Sequence, residues 1–375
     1  MRILLLTRDF PPVEGGIAQF AYGLADGLFR DGHDVTVHAR LPPGVEPSPP
    51  RGVRVTPVGH RGGPRERDAL QSHVRKEGRP DRVIALHWKA VRPVVHDLAE
   101  LDLPFVLIAH AKEVSSRLGW VQRVRLGRVL RAAGSIACVS GYTQLELQQR
   151  LHVPEARTRV IHPGVDPERF QPRPPDEALL RRLGIASRPL LLTVARLVER
   201  KGHDQVIRAL PRLAARYAGI RYVVCGSGEA RVEARLRRLA RDLGVADRMV
   251  WTGSLSDAEV VELYRACDVV VMASRTLERT GDAEGFGITF LEAAACEKPV
   301  VAGAEGGVGD AVLDGRTGFL VDPHNSMAIA AKIDRLLEDP ELCARMGKAG
   351  RQRVLAEFTW PGVARRLLEP WTPPR

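Results

Sequence analysis

Short apolar runs alternate with longer amphipathic segments along almost the whole chain, and this alternation limits the possible folds more than any other feature. Runs rich in Val, Ile and Leu that end at turn residues predict buried strands, and apolar residues three or four positions apart predict helices. Strands separated by helices are typical of parallel sheets. In the first half, strands are predicted at residues 2–7, 34–39, 81–87, 104–110, 134–140 and 159–162.

The alternation is interrupted by a segment rich in Pro and Arg, residues 166–186, which favours an interdomain connection. Further strands are predicted at residues 190–195, 220–225, 248–252, 268–273, 299–302 and 318–321. A chain of 375 residues is long enough for two domains. We therefore predict an α/β fold with two Rossmann-like domains whose parallel sheets face each other across a cleft. Residues 1–165 and a returning helix within 355–375 form the first domain, and residues 187–354 form the second.

The net charge of +11 is compatible with nucleic acid, anionic lipid or phosphorylated ligands. However, the sequence has no zinc-finger pattern or RNP-like strand, and an aromatic content of 5% argues against base stacking. We therefore expect no nucleic acid partner. The five cysteines are scattered without a C-x-x-C pair, which predicts reduced, buried thiols.

Apolar segments also bear on the location of the protein. The first apolar run, residues 3–6, is too short for a signal peptide. No window approaches the roughly 18 to 20 apolar residues that a membrane-spanning helix needs. These features predict a cytoplasmic protein, and they leave peripheral attachment to the inner face of the membrane open.

Residues 114–133 combine apolar residues, among them Trp120, with five arginines. A basic amphipathic helix that carries a tryptophan can lie on an anionic membrane surface. A helix that packs on the sheet and exposes its basic face explains the same pattern. Both interpretations stay open.

Two glycine turns lie where predicted strands lead into predicted helices. Gly15 and Gly16 follow the first strand and precede a helix predicted at residues 17–30, and Gly226 follows the strand at 220–225. Glycines let backbone amides approach an anion closely, and a helix N-terminus favours negative charge. Plain connections between strand and helix explain the same residues, and the complete G-x-G-x-x-G spacing is absent.

Two cations, Arg196 and Lys201, follow the strand predicted at residues 190–195. They lie beyond its carboxyl end, where open α/β sheets bind ligands. A guanidinium and an ammonium suit the oxygens of a diphosphate leaving group without a metal. Because no acidic D-x-D-like cluster follows a predicted strand, we expect no metal cofactor. Solvated surface charge is the alternative explanation of the pair.

Two glutamates with seven residues between them, Glu284 and Glu292, form the most informative segment. A helix that begins near Phe286 would place the first glutamate before its N-terminus and the second on its second turn. Carboxylates accept hydrogen bonds from sugar hydroxyls, and the first amides of a helix can bind hydroxyls or phosphate. The residues that separate the glutamates begin with Gly285, Phe286, Gly287 and Ile288.

With the run Val-Ile-His-Pro-Gly-Val-Asp at residues 160–166, these motifs resemble the retaining glycosyltransferases of family 4. The likeness covers nearly the whole chain and is best in the second domain. It implies the GT-B fold and transfer of a sugar from a nucleoside diphosphate to an acceptor alcohol, with no metal or other cofactor. The donor would bind the second domain and the acceptor the first.

The resemblance also implies roles for matching residues. Glu284 would hold hydroxyls of the donor sugar and Glu292 the ribose, while Arg196 and Lys201 would neutralise the diphosphate. Gly16 would face the same phosphates from the first domain.

Two further residues acquire roles through the resemblance. Val250 would lie beside the base. His110 ends the strand at 104–110, and family members place a histidine there against the donor sugar. The resemblance implies front-face transfer, in which the departing phosphate helps to remove the acceptor proton and His110 supports positive charge on the sugar. A structural histidine is the alternative.

The segments at residues 273–276 and 282–288 are similar to the phosphatidylinositol mannosyltransferase branch, whose donor is GDP-mannose. This similarity predicts transfer of mannose to a hydroxyl on a lipid, a polysaccharide precursor or a small glycoside. Gly309 and Asp310 depart from the proline and glutamate of many relatives. A UDP-sugar-dependent enzyme and an inactive sugar-nucleotide-binding paralogue remain alternatives. A nicotinamide-dependent oxidoreductase fits less well, because its glycine fingerprint is absent from this sequence. A sugar-nucleotide 2-epimerase also fits less well, because that class is not expected to have the paired glutamates found here.

Overall fold

The computed structural model describes residues 1–13, 15–59, 63–185 and 187–370, and the chain divides into two compact units. Unit 1 consists of residues 1–164 and 358–375, and unit 2 of residues 165–357. The predicted connection at 166–186 falls within unit 2, where it includes a short helix, Glu177–Arg182. Ala186 and residues 371–375, which include Trp371 of the predicted returning segment, lie outside the described residues.

Each unit is built around one parallel sheet. The seven strands of unit 1 are β1 (Arg2–Thr7), β2 (Asp34–Ala39), β3 (Arg54–Pro57), β4 (Arg82–Ala85), β5 (Phe105–Ala109), β6 (Ser135–Cys138) and β7 (Thr158–Val160), in the spatial order 3-2-1-4-5-6-7. The six strands of unit 2 are β8 (Leu190–Val194), β9 (Arg221–Cys225), β10 (Met249–Gly253), β11 (Val269–Met272), β12 (Val300–Gly303) and β13 (Gly318–Val321), in the order 10-9-8-11-12-13. Both orders reverse direction at the first strand of the unit, as in doubly wound folds.

Helices connect successive strands. In chain order they are α1 (Gly16–Arg30), α2 (Pro64–Glu77), α3 (Trp88–Val91), α4 (Val95–Glu100), α5 (Ala111–Ser115), α6 (Trp120–Ala132), α7 (Gly141–Leu151), α8 (Glu177–Arg182), α9 (His203–Arg216), α10 (Ala230–Asp242), α11 (Asp257–Ala266), α12 (Ile288–Ala295), α13 (Val308–Ala311), α14 (Ser326–Glu338), α15 (Pro340–Glu357) and α16 (Trp360–Leu368). Single 3₁₀ turns occur at Arg92–Val94, Glu155–Arg157, Glu199–Lys201 and Ala246–Arg248.

Burial of both sheet faces explains why the central strands are continuous apolar runs. In β1, Ile3 and Leu5 belong to the core on one face of the sheet, whereas Leu4 and Leu6 belong to the core on the other. Because successive side chains of a strand point to opposite faces, four consecutive apolar residues are needed to fill both cores.

Two local predictions differ from the structure. The edge strand β3 was not predicted, because Arg54 and its neighbours form no apolar run and lie largely exposed. The single basic helix expected within 114–133 is wrong: α5 ends at Ser115 and α6 begins at Trp120, after an N-cap at Gly119.

The chain returns to unit 1 at its end through α16, which packs along α1. Trp360 fills the space above two glycines of α1: a β-carbon would lie 2.0 Å from the Trp360 ring at Gly23 and 2.6 Å from the Trp360 backbone at Gly27. Val363 and Leu367 extend the contact into the core around Phe20. Because Gly23 and Gly27 have no side chains, α1 and α16 can approach each other closely.

Among the described residues, no helix has both the length and the apolar character needed to cross a lipid bilayer.

Candidate active site

The turn after β8 is the centre of the candidate donor site in unit 2. It packs against the turn after β9 through a bridge between Leu197 and Gly228. Gly226 has φ of +134°, and a β-carbon there would lie 2.2 Å from the carbonyl oxygen of Ala195. The packing of the two turns therefore requires glycine at position 226, whatever part it takes in ligand binding.

The two cations predicted in this turn differ in exposure. Arg196 is exposed, whereas Lys201 is buried within the 3₁₀ turn Glu199–Lys201. The Lys201 ammonium donates to Oε2 of Glu284 at 2.5 Å. The sequence-predicted Lys201 and Glu284 are thus in direct contact, although 83 positions separate them.

A third residue, Arg200, completes this cluster. Its guanidinium donates to the same Oε2 of Glu284 at 2.7 Å and lies 3.6 Å from Asp282. The side chains of Arg200, Lys201 and Glu284 are 11–13% exposed, so solvent screens the ion pairs only weakly. The cluster presents two cations and a carboxylate at the carboxyl end of a parallel sheet.

The two cations keep Glu284 ionised. Burial alone would raise the pKa of Glu284, but Lys201 and Arg200 outweigh burial and hold that pKa at about 2. The carboxylate is therefore ionised at neutral pH and can accept hydrogen bonds from hydroxyl groups.

The backbone around Glu284 is fixed from the neighbouring loop. The amide of Gly307 donates to the Glu284 carbonyl at 2.8 Å. Phe286 is buried, Gly285 is half-buried, and Gly287 is the N-cap of α12, which begins at Ile288. The amides at the start of α12 have no acceptor within the helix and can serve a ligand.

Glu292 lies on the second turn of α12, as predicted, and is held by a residue that the sequence did not single out. The hydroxyl of the fully buried Tyr264 donates to Glu292 Oε2 at 2.7 Å. Burial raises the pKa of Glu292, and the Tyr264 hydrogen bond, Arg169 and Lys201 act against that rise. Lys201 thus lowers the pKa of both glutamates.

Val250, the residue expected beside the base, lies on β10 at the edge of the unit 2 sheet and is half-buried. The end of β10 adjoins the turn after β9, since the Gly226 amide donates to the Gly253 carbonyl at 2.9 Å. Val250 is thus on the strand two places from β8, whose following turn carries the cations.

In unit 1, Gly15 is the N-cap of α1 and Gly16 its first residue. Gly15 has φ of +142°, which disfavours other residues. A β-carbon at either position would have no described atom within 4 Å, apart from chain neighbours and the backbone of the helix itself. Packing within unit 1 therefore does not require glycine at position 16, and the helix N-terminus is left accessible.

His110 follows β5 as predicted and is the N-cap of α5. Its Nε2 donates to the Leu86 carbonyl at 3.0 Å, and its ring contacts Phe20 edge-on with centroids 5.5 Å apart. Burial lowers the pKa of His110. The ring is therefore neutral at pH 7, with its proton on Nε2, while its carbonyl accepts from the Glu113 amide at 3.1 Å.

A group of cations at the carboxyl edge of the unit 1 sheet was missed by sequence reasoning. Lys89 lies on α3, the helix after β4, while Arg8 follows β1 and Lys112 follows β5. Burial lowers the pKa of Lys89, and Arg8, Arg92 and Lys112 lower it further while Glu113 opposes them. Lys89 therefore lies within electrostatic reach of three other cations and one carboxylate.

Helix α6 has a basic exposed side. Trp120 is 78% exposed and Val121 49% exposed. Its core side consists of Leu126, Val129 and Leu130. The exposed arginines are Arg123, Arg125, Arg128 and Arg131.

Most of the predicted site residues were chosen because they follow a strand. Arg200, which neighbours Lys201, could have been chosen on the same ground. Tyr264 lies in the middle of a helix and gives no such signal. Among the described residues, no group of three or more His, Cys, Asp or Glu side chains is placed to hold a metal ion.

Fold and site together define a glycosyltransferase of the GT-B class. Residues 176–353 match the family described as Glycosyl transferases group 1, and residues 14–169 match Glycosyltransferase Family 4. The chain belongs to glycosyltransferase family 4.

Among its relatives is the GDP-mannose-dependent alpha-(1-6)-phosphatidylinositol monomannoside mannosyltransferase of Mycolicibacterium smegmatis, which is 35% identical over 98% of this chain and 97% of that protein. The glycogen synthase of Mycobacterium tuberculosis is 31% identical over 97% of this chain and 92% of that protein. Among solved structures, HepE of Anabaena in complex with UDP has a TM-score of 0.81 at 22% identity, covering 98% of this chain and 99% of that one. Sucrose-phosphate synthase of Thermosynechococcus elongatus has a TM-score of 0.79 at 22% identity, covering 98% and 97%. These similarities agree with the predicted family and fold.

Proposed function

We propose that this protein is a retaining mannosyltransferase that moves mannose from GDP-mannose to a hydroxyl of a phosphate-bearing lipid acceptor. The buried cluster of Glu284, Lys201 and Arg200 carries the proposal. A carboxylate kept ionised beside two cations offers an acceptor for sugar hydroxyls and positive charge for the diphosphate within one small volume.

The donor half of the reaction follows from these charges. When the bond between the sugar and the diphosphate breaks, negative charge grows on the leaving phosphate, and fixed cations stabilise that charge. Lys201, Arg200 and the exposed Arg196 supply this positive charge from the protein, so we expect turnover without added metal. Glu284 holds the sugar, and Glu292, oriented by Tyr264, accepts from the ribose.

His110 contributes from unit 1 in this mechanism. Its ring is neutral and oriented by the Leu86 carbonyl, so it can hydrogen-bond the sugar but does not act as a strong base. With no carboxylate nucleophile assigned, the departing phosphate assists removal of the acceptor proton on the same face. Retention of configuration follows.

The acceptor half rests on the cations of unit 1. Arg8, Lys89 and Arg92 gather at the edge of the sheet where α/β folds bind ligands, and they suit a phosphodiester next to the accepting hydroxyl. A phosphatidylinositol mannoside, the acceptor in the name of the mycobacterial relative, has such a group. The basic side of α6, with its exposed Trp120, would bring the enzyme to the membrane that contains the acceptor.

Thermal shift with GDP, UDP, ADP and TDP tests the donor, because a ligand that binds the native state raises its stability, by about 2.7 kcal/mol at a hundredfold excess over Kd. We expect GDP to raise the melting temperature most. A larger shift with UDP would refute the donor assignment, and no shift with any of the four would refute nucleotide binding altogether. Transfer of labelled mannose to phosphatidylinositol mannosides, but not to glycogen, tests the acceptor. Hydrolysis of the donor, or transfer of its sugar to any acceptor, would distinguish an enzyme from an inactive binding protein.

A further inference from the structure

A groove in unit 2, apart from the cluster around Glu284, has the composition of a small anion-binding site. It has a volume of about 200 Å³ and lies between α9 and α10. Arg208 of α9 and Arg235 of α10 are among the residues that line it. Its volume is below the roughly 300 to 1,000 Å³ of pockets for drug-sized ligands, so a small ligand fits it better.

The two arginines are available for a ligand. Both are exposed, and neither guanidinium has a hydrogen-bond or ion-pair partner within the described parts of the chain. By contrast, Arg237 on α10 is paired with Glu233 at 2.7 Å. Two unpaired guanidinium groups in the lining of one groove suit the oxygens of a phosphate group.

The rest of the lining distinguishes a phosphate ester from a bare anion. Leu236 and Leu239 form an apolar wall, and Glu199 contributes a carboxylate without a partner among the described residues. A carboxylate repels free phosphate but accepts hydrogen bonds from hydroxyls. Arg275, the third arginine of the groove, is already bound by Asp204 at 3.0 and 3.2 Å, so its charge is largely compensated.

The groove shares one segment with the donor site. Glu199 lines the groove, and the next two residues, Arg200 and Lys201, hold Glu284. In addition, the Arg275 amide donates to the Arg200 carbonyl at 2.8 Å. A ligand that immobilises Glu199 would therefore also immobilise the turn that carries the two donor-site cations.

We propose that this groove is an effector site for a small hydroxylated phosphate monoester, and that its occupation strengthens donor binding. Arg208 and Arg235 bind the phosphate and Glu199 accepts from a hydroxyl. Because Glu199, Arg200 and Lys201 are consecutive residues of one turn, a ligand bound to Glu199 acts directly on the position of the two donor-site cations. Coupling between two binding sites is reciprocal, so each ligand must strengthen the other by the same factor. This coupling applies to any nucleoside diphosphate that the donor site binds.

Isothermal titration of the full chain, saturated with its nucleoside diphosphate, tests the site with hexose 6-phosphate as the probe. We expect Arg208→Gln/Arg235→Gln to weaken binding at least tenfold, about the effect of losing one charge-assisted hydrogen bond. The matched control is Arg212→Gln/Arg238→Gln, which removes the same charge from the same two helices outside the groove. Equal weakening in both double variants, or no binding to the wild type at millimolar concentrations, would overturn the proposal.

Two further arms test the ligand class and the coupling. Inorganic phosphate should bind more weakly than hexose 6-phosphate, and Glu199→Gln should reduce that difference. Equal binding of the two probes to the wild type would refute the hydroxyl contact. Hexose 6-phosphate should also lower the Kd of the nucleoside diphosphate, and an unchanged Kd would refute the coupling.

Discussion

Removal of the Glu284 charge should cost this protein both stability and activity. In Glu284→Gln the side chain keeps its shape, but Lys201 and Arg200 lose the carboxylate to which they donate. The pKa of Glu284 is lowered from 4.5 to about 2 in the folded protein. Since one pKa unit corresponds to about 1.4 kcal/mol, the folded state favours the charged form by about 3 kcal/mol. We expect Glu284→Gln to lower the free energy of unfolding by about this amount at pH 7.

Urea unfolding, followed by far-UV circular dichroism, measures this loss. Glu338→Gln is the matched control, because Glu338 pairs with Arg216 at the surface, where ion pairs contribute little. We expect a much smaller change in that variant. Mannose transfer, assayed well below the unfolding midpoint, should fall at least tenfold in Glu284→Gln, about 1.4 kcal/mol of transition-state stabilisation, and remain normal in the control.

The pH dependence of the loss gives a sharper test. A carboxyl group whose folded pKa is lowered stabilises the protein fully above its unfolded pKa of 4.5, and the stabilisation disappears as the pH falls through about 2. The difference between wild type and Glu284→Gln should therefore stay constant from pH 7 to pH 5.5 and shrink below about pH 4.5. A difference below about 1 kcal/mol at pH 7, or one that already narrows between pH 7 and pH 6, would contradict the proposed ion pairing.

His110→Ala should reduce kcat about a hundredfold, the range of a group that acts on the reacting atoms, and leave the Kd of GDP unchanged; a normal turnover rate or a trapped glycosyl-enzyme adduct would contradict its role. Chelation with EDTA should leave transfer intact, because protein cations neutralise the diphosphate; loss of activity that Mg²⁺ restores would refute this. Tyr264→Phe should raise the KM for the donor several-fold through loss of the bond to Glu292, which donor titrations with Tyr217→Phe as the control would detect. Trp120→Ser should reduce co-sedimentation with anionic liposomes at low salt, and binding equal to the wild type would argue against attachment through α6.

The central strands were predictable from the sequence, because each fills two cores with one continuous apolar run. β1 was predicted with its observed bounds, as was β13. β3 was not predicted, because an edge strand with one partner needs no such run and its residues are mostly exposed. The break between α5 and α6 was not predicted, because Arg117 and Leu118 continue the mixture of basic and apolar residues, and the signals of a break are only Ser116 and Gly119, with no proline.

The candidate site was predictable as motifs but not as contacts. Glycines and charges at strand ends indicated where a ligand would bind, since that edge is common to parallel sheets. The sequence could not show that Lys201 would be buried against Glu284, because this pairing depends on the meeting of two turns from distant parts of the chain. For the same reason the contact between Tyr264 and Glu292 was found only in three dimensions. Arg8, Lys89 and Lys112 each follow a predicted strand, so their positions could have been noticed in the sequence, although their proximity could not.

The contact between Trp360 and the glycines of α1 sets the order in which the protein can be completed during synthesis. Unit 2 is one continuous stretch, residues 165–357, and it is synthesised between the two parts of unit 1. Unit 1 begins translation first, yet the apolar side of α1 stays uncovered until residues 360–368 emerge. The core of unit 1 is therefore incomplete until the last helix has been added. During that interval α1 exposes an apolar surface of the kind that chaperones recognise.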